Sequence, residues 1–320
     1  MRLAQMMIAF ALVAICGATR ADQYPTRPIT LVVPFAAGGS NGTIARVIGE
    51  RLSKAWGRPV IVENQSGAGG SLAAARVAKA TPDGYTLLIT SPNFTINAVV
   101  QRELPFDPAT AFTAVALLAR SPMVLVTAPQ RGFKSAAELL AFARANPGKL
   151  SYASSGTGSI NYIAGELLKI HAALQIAHVP YRGVAPALND VIGGHVDLLI
   201  ASVPAVIEQI RAGKIAGLAV TSKQPTAFAP DLPTLDQTIA RGYELEQWWG
   251  ILAPAQTPGD VVEKLNAEIN RALESAEVRE ILAREGARET PGPPAALAQL
   301  IAEEIPRWRA LAAQGHLRAE

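Results

Sequence analysis

Only one cysteine, Cys16, occurs in the 320 residues, and it stands close to the N-terminus. The rest of the chain therefore has no thiol for a disulfide framework, a thiol nucleophile or a cysteine-ligated metal. Charge of one sign is also scarce: 29 Lys+Arg face 26 Asp+Glu, scattered rather than gathered into a stripe, which argues against a nucleic-acid surface. No apolar run reaches the roughly 18 residues of a membrane span. The four histidines, His171, His178, His195 and His316, lack metal-ligand spacing, so no metal is expected. A G-x-x-x-x-G-K-[ST] phosphate loop is missing, and Gly67-Ala68-Gly69 and Gly156-Thr157-Gly158 lack the third glycine of a dinucleotide fingerprint. Neither nucleotides nor another cofactor is expected.

What is present begins with Arg2, an apolar stretch over residues 6–15 and small residues up to Ala21, the layout of a secretory signal peptide cut after Ala21. Large Ile15 before Cys16 counts against a lipoprotein site. Cleavage would remove Arg2, Arg20 and the cysteine, leaving 27 basic against 26 acidic residues. The remainder is long enough for one large or two medium domains.

Short β-branched runs then alternate with helical periodicity. Residues 29–35 (ITLVVPF), 59–63 (PVIVE) and 85–90 (YTLLIT) read as buried strands, with helices between them. The pattern restarts at a capping box, Ser135 to Glu138, and continues with strands over 150–153, 176–179 and 196–200. Two βαβαβ sets predict two lobes, each a mainly parallel sheet flanked by helices. The C-terminal third is helical, with Thr257-Pro258 opening one helix and Pro306 inside the last. We expect that tail to return to the first lobe, with chain crossings near residues 123–126 and 248–252.

Three strand-to-helix loops rich in Gly, Ser, Thr and Asn recur, at residues 36–42, 64–70 and 154–159. Strand carboxyl ends border the crevice of open α/β sheets, and helix N-termini offer free N–H groups and a positive dipole end that suit a carboxylate. Two such loops, one per lobe, would hold an anion without Arg or Lys. Tyr181-Arg182-Gly183 also follows a strand and is a further candidate. Trp248-Trp249 reads as core or hinge packing. An enzyme reading comes from Gly38-Gly39-Ser40-Asn41-Gly42, which matches the G-x-S-x-G nucleophile elbow and could be completed by Asp260 and His316 as an α/β-hydrolase. Only one strand precedes that motif, where an elbow follows several.

Residues 28–35 with Gly38-Gly39, 62–64 with 67–70, and 82–88 (PDGYTLL) resemble the Bug family, the TctC-like receptors of tripartite tricarboxylate transporters. So do 152–156, 164–167, 178–181, 185–188, Gly193-Gly194 with Val196-Asp197, and 252–254, in order along the chain. The resemblance implies a type II, Venus-flytrap periplasmic binding fold, with lobe 1 at 22–123 plus 248–320 and lobe 2 at 124–247. It implies no catalysis and a monomer in the periplasm that closes around a small carboxylate and serves inner-membrane transporter subunits, or else a sensor. By position the ligand would meet Phe35, Ala37, Gly38, Gly39, Ser40 and Asn41 in the first loop, and Ser91 and Asn93 beyond the next strand. In the second lobe it would meet Ser154, Ser155, Gly156, Thr157, Gly158 and Ser159, with Tyr181, Arg182 and Ala201. Gly42 stands where the family usually has Asp, and Tyr162 where it usually has His. Loss of that Asp removes a negative charge and predicts a plain mono- or dicarboxylate ligand rather than one with an ammonium group.

Overall fold

The computed structural model describes residues 24–101, 103–315 and 317; the signal-peptide reading and His316 lie outside them. In chain order the strands are β1 (Ile29–Val33), β2 (Val60–Asn64), β3 (Thr86–Thr90), β4 (Phe112–Thr127), β5 (Ser151–Ser154), β6 (Ala177–Pro180), β7 (Leu198–Ser202), β8 (Ala216–Val220), β9 (Glu246–Pro254) and β10 (Arg288–Glu289). The helices are α1 (Ser40–Trp56), α2 (Ser71–Ala78), α3 (Asn93–Val100), α4 (Ala136–Ala145), α5 (Ile160–His171), α6 (Val184–Ile192), α7 (Val203–Arg211), α8 (Gly259–Leu273), α9 (Ala276–Arg284) and α10 (Pro294–Ala313).

Local chemistry sets several boundaries. Gly57 adopts φ 60° and ends α1 in a left-handed cap, as its position in the sequence predicts. Ser135 caps α4 by accepting from the Glu138 amide, while Glu138 reaches back to the Lys134 amide instead of closing the reciprocal box on Ser135. Thr257 does not cap α8; its hydroxyl donates to Pro254 O.

The sheet runs β2-β1-β3-β9-β4-β7-β5-β6, with β8 and β10 also on β4. Pairing is parallel for β2-β1-β3 and for β7-β5-β6, the two βαβαβ sets read from the sequence. It is antiparallel wherever β4 or β9 takes part, so the sheet is mixed. Sequence reading missed this because 112–120 and 246–247 carry no turn signal or strict alternation. The 16-residue strand β4 ties the two halves: residues 112–122 pair with β9, and 123–127 lie between β7 and β8. The return crossing precedes β9, which pairs only with β3 and β4.

Alternation along the strands feeds separate cores. Ile29, Leu31 and Val33 face α1 and α8, whereas Val32 faces the layer holding α2 and the start of α10. Met123 and Leu125 likewise join one cluster of the second half, and Val124 and Val126 another. Both faces are covered, which explains the near-continuous apolar runs. The last helix serves both halves: Leu297, Ile301 and Ile305 pack with first-half residues, and Trp308 and Leu311, one turn beyond Pro306, join the cluster holding Leu139, Leu140 and Tyr152.

A buried carboxyl lies at that junction. Trp248 Nε1 donates to Glu304 Oε1 at 3.1 Å, Thr95 Oγ1 lies 2.6 Å from Glu304 Oε2, and Trp308 Nε1 donates to Thr95 Oγ1 at 3.1 Å. Thr95 Oγ1 is also 2.9 Å from Pro92 O, and one hydroxyl proton cannot serve both oxygens. A protonated Glu304 supplies the second proton. Burial raises its pKa to about 7, outweighing the donors that would lower it. Because the folded value lies above the unfolded one, the stabilisation is present below pH 4.5 and is lost as pH rises through 7. Urea unfolding at pH 5 and pH 8 should therefore show wild type losing on the order of 3 kcal/mol relative to Glu304→Gln over that interval. Parallel pH profiles for the two proteins would remove this assignment.

Candidate functional site

A cavity of about 290 Å³ opens where the two halves meet. It is lined by Phe35, Ala36, Gly39, Ser40, Asn41 and Gly42 after β1, Ser91 and Asn93 after β3, and Ile160 and Asn161 after β5. Val184 opens α6, Ser202 and Pro204 stand at the β7–α7 junction, Met123 comes from β4, Gln247 and Trp249 come from β9, and Glu285 follows α9. The starts of five helices thus share one cavity. Each leaves its first amides without an intrahelical acceptor.

Four of these five helices, α1, α3, α6 and α7, have no side-chain cap. Only α5 is capped, by Ser159 Oγ accepting from the Tyr162 amide. At α1 the chain needs Gly38 at φ 103°, and a Cβ at Gly38 or Gly39 would meet nothing within 4 Å, so the glycines leave the amides open to the cavity. Asn64 Nδ2 donates to Phe35 O at 2.8 Å and fixes this loop to the end of β2. Among the described lining residues none is Lys, Arg or His.

Of the residues singled out in the sequence, Phe35, Gly39, Ser40, Asn41, Ser91 and Asn93 line the cavity. Ala37 and Gly38 are exposed and do not. The second loop also stays out of the wall, and its serine hydroxyls are engaged by the protein itself. Ser154 Oγ bonds Gly156 O and His178 Nε2, Gly156 N donates to Ser154 Oγ, and Ser159 Oγ donates to Gly156 O. Gly158 abuts Val100, and Thr157, like its neighbours, is not in the lining. Ser155 acts one step back: its hydroxyl donates to Asn161 Oδ1 at 2.7 Å, while Asn161 Nδ2 donates to Ile200 O at 2.7 Å. Asn161, which lines the cavity, is thereby held from two sides.

Tyr181 turns to its own helix, donating to Asp190 Oδ2 at 2.6 Å; burial and that carboxylate push its pKa up to about 12. Arg182 is exposed, and Ala201 is buried within β7 opposite Val124. The loop over 64–70 packs instead on α3, with Asn97 Nδ2 and Gln101 Nε2 donating to Gly69 O and Ala68 O. Tyr162 lies tilted against His178, which stacks on Tyr152, and burial lowers the His178 pKa.

Sequence reading missed Gln247 and Glu285 and assigned Trp249 to core or hinge packing; all three approach from distant segments without any motif. Trp248 is core, as expected, whereas its neighbour Trp249 reaches the cavity by strand alternation. Ser40 Oγ donates to Glu285 Oε2 at 2.5 Å, not to a histidine. Asp260 is engaged at the start of α8 by the Val261 amide. Among the described residues no histidine stands against Ser40, and His316 lies outside them.

Comparison with known proteins agrees with this architecture. A family model described as tripartite tricarboxylate transporter family receptor matches residues 44–317. A UPF0065 protein from the tcbD-tcbE intergenic region of Pseudomonas sp. strain P51 is 39% identical over 98% of this chain and 95% of its own. An R. palustris protein solved with adipate has a TM-score of 0.78 at 36% identity, covering 93% of this chain and all of the other. MatC of Rhodopseudomonas palustris, solved with bound malate, has a TM-score of 0.73 at 35% identity, covering 90% of this chain and 99% of the other. Sequence, fold and the cavity between two α/β halves agree: the chain belongs to the TctC family, the receptors of tripartite tricarboxylate transporters.

Proposed function

We propose that this receptor captures a small organic carboxylate in the periplasm by closing its two lobes and hands it to inner-membrane transporter subunits. The observation that carries the reading is four uncapped helix starts on one cavity whose described lining contains no cationic side chain. Backbone amides at such ends favour an anion by roughly 0.3–1 kcal/mol each at exposed sites and more when partly buried. Ser91, Asn93, Ser202 and Gln247 add neutral hydrogen-bonding groups around them. Adipate and malate in the two relatives are both dicarboxylates, which supports the ligand class.

In this reading lobe 1 comprises residues 22–123 and 248–320, lobe 2 comprises 124–247, and the receptor works as a monomer. An anion resting on α1 gains contacts at the starts of α5, α6 and α7 only when the lobes approach, which biases the open–closed equilibrium. The first-loop residues Phe35, Gly39, Ser40 and Asn41 contact the ligand. The second loop works through Ser155 and Asn161.

Two outcomes follow. Trp249 fluorescence should change when small carboxylic acids, adipate and malate among them, are titrated in, and the matching amides should leave it unchanged; a panel in which no acid acts, or amides act equally, would refute the ligand class. Small-angle X-ray scattering should show the radius of gyration falling at saturating ligand. An unchanged radius there would refute closure.

A further inference from the structure

The cavity built for an anion also holds one. Glu285 follows the last turn of α9, half-buried in the cavity wall, and accepts from Ser40 Oγ. None of the ion pairs among the described residues involves it. The adjacent Arg284 pairs with Glu280 in an exposed ion pair. The backbone that carries it is held in place: Ser121 Oγ donates to Gly286 O at 2.8 Å, and a Cβ at Gly286 would stand 2.9 Å from Val203 Cβ.

A second acceptor waits nearby in the lining. Asn41 Oδ1 is buried and has no hydrogen-bond partner, although Asn41 Nδ2 reaches Ser91 Oγ at 3.4 Å. A buried acceptor without a donor is destabilising, and so is a half-buried carboxylate without a cation. A plain dicarboxylate brings only further acceptors to these two groups. An ammonium group brings three donors and a positive charge.

We propose that Glu285, with Asn41 Oδ1, selects a ligand that carries an ammonium group beside its carboxylate, a small amino acid rather than a plain dicarboxylate. The proposal rests on the carboxylate reading above and deepens it. In this reading the negative charge absent at Gly42 is supplied by Glu285, 243 positions later in the chain, so the proposal runs against the expectation drawn from Gly42 alone. The ligand carboxylate meets the open amides of α1, and its ammonium group bridges Glu285 and Asn41.

Isothermal titration of wild type and Glu285→Gln with three matched pairs tests this: succinate and aspartate, glutarate and glutamate, adipate and 2-aminoadipate. The amino member should bind wild type at least about tenfold more tightly in the pair that fits, and Glu285→Gln should shrink that ratio by about tenfold. Thermal melting checks that the variant folds, and Glu285→Ala replaces it if it does not. Tighter binding of the plain acid to wild type, or a ratio that neither variant moves, overturns the proposal and leaves the carboxylate reading intact. Binding of no member of any pair overturns both.

Discussion

A helix that starts where a strand ends presents amides that the helix itself cannot satisfy. Here five such starts border one cavity, and the sequence supplies a side-chain cap for only one of them. Everything else at the site serves to keep those amides in place and uncovered. Gly38 gives the turn that frees the start of α1, Asn64 anchors that turn, and Asn161 is braced by Ser155 and the Ile200 carbonyl. The field so produced comes from backbone amides spread over several elements and from no cationic side chain among the described lining residues.

Against that field stands the single carboxylate of Glu285. It accepts from Ser40 Oγ at the start of α1 and is the one acidic side chain among the described lining residues. Its role follows from its fixed backbone: the segment that carries it is trapped between Ser121 on the crossing strand and Val203 and Pro204 at the start of α7. The same segment therefore touches both halves of the molecule. Recognition at the cavity and contact between the lobes share one short stretch of chain.

The junction between the halves is built from few elements with long reach. β4 passes from one set of strands to the other without interruption, and α10 lays Leu297, Ile301 and Ile305 on one core and Trp308 and Leu311 on the next. The buried Glu304 binds the crossing strand through Trp248 and α3 through Thr95. A neutral carboxyl at that point satisfies all its partners at once; a charged one does not.

The sequence by itself determined the parts that depend on neighbours along the chain. Alternation of β-branched residues with helical spacing specified the two βαβαβ sets, Gly57 the end of α1, and the Gly-Ser loop at 36–42 an open helix start, because each is a local consequence of backbone sterics and hydrogen bonding. The mixed pairing of β4 and β9, the withdrawal of residues 154–159 from the cavity wall, and the arrival of Trp249 and Glu285 within it were decided only by the tertiary structure. Whether a hydroxyl faces a ligand or a neighbouring carbonyl turns on which distant atom is nearer, and Ser40 met Glu285 across 245 positions where Ser154 met His178 across 24. No periodicity along the chain encodes such distances; packing does.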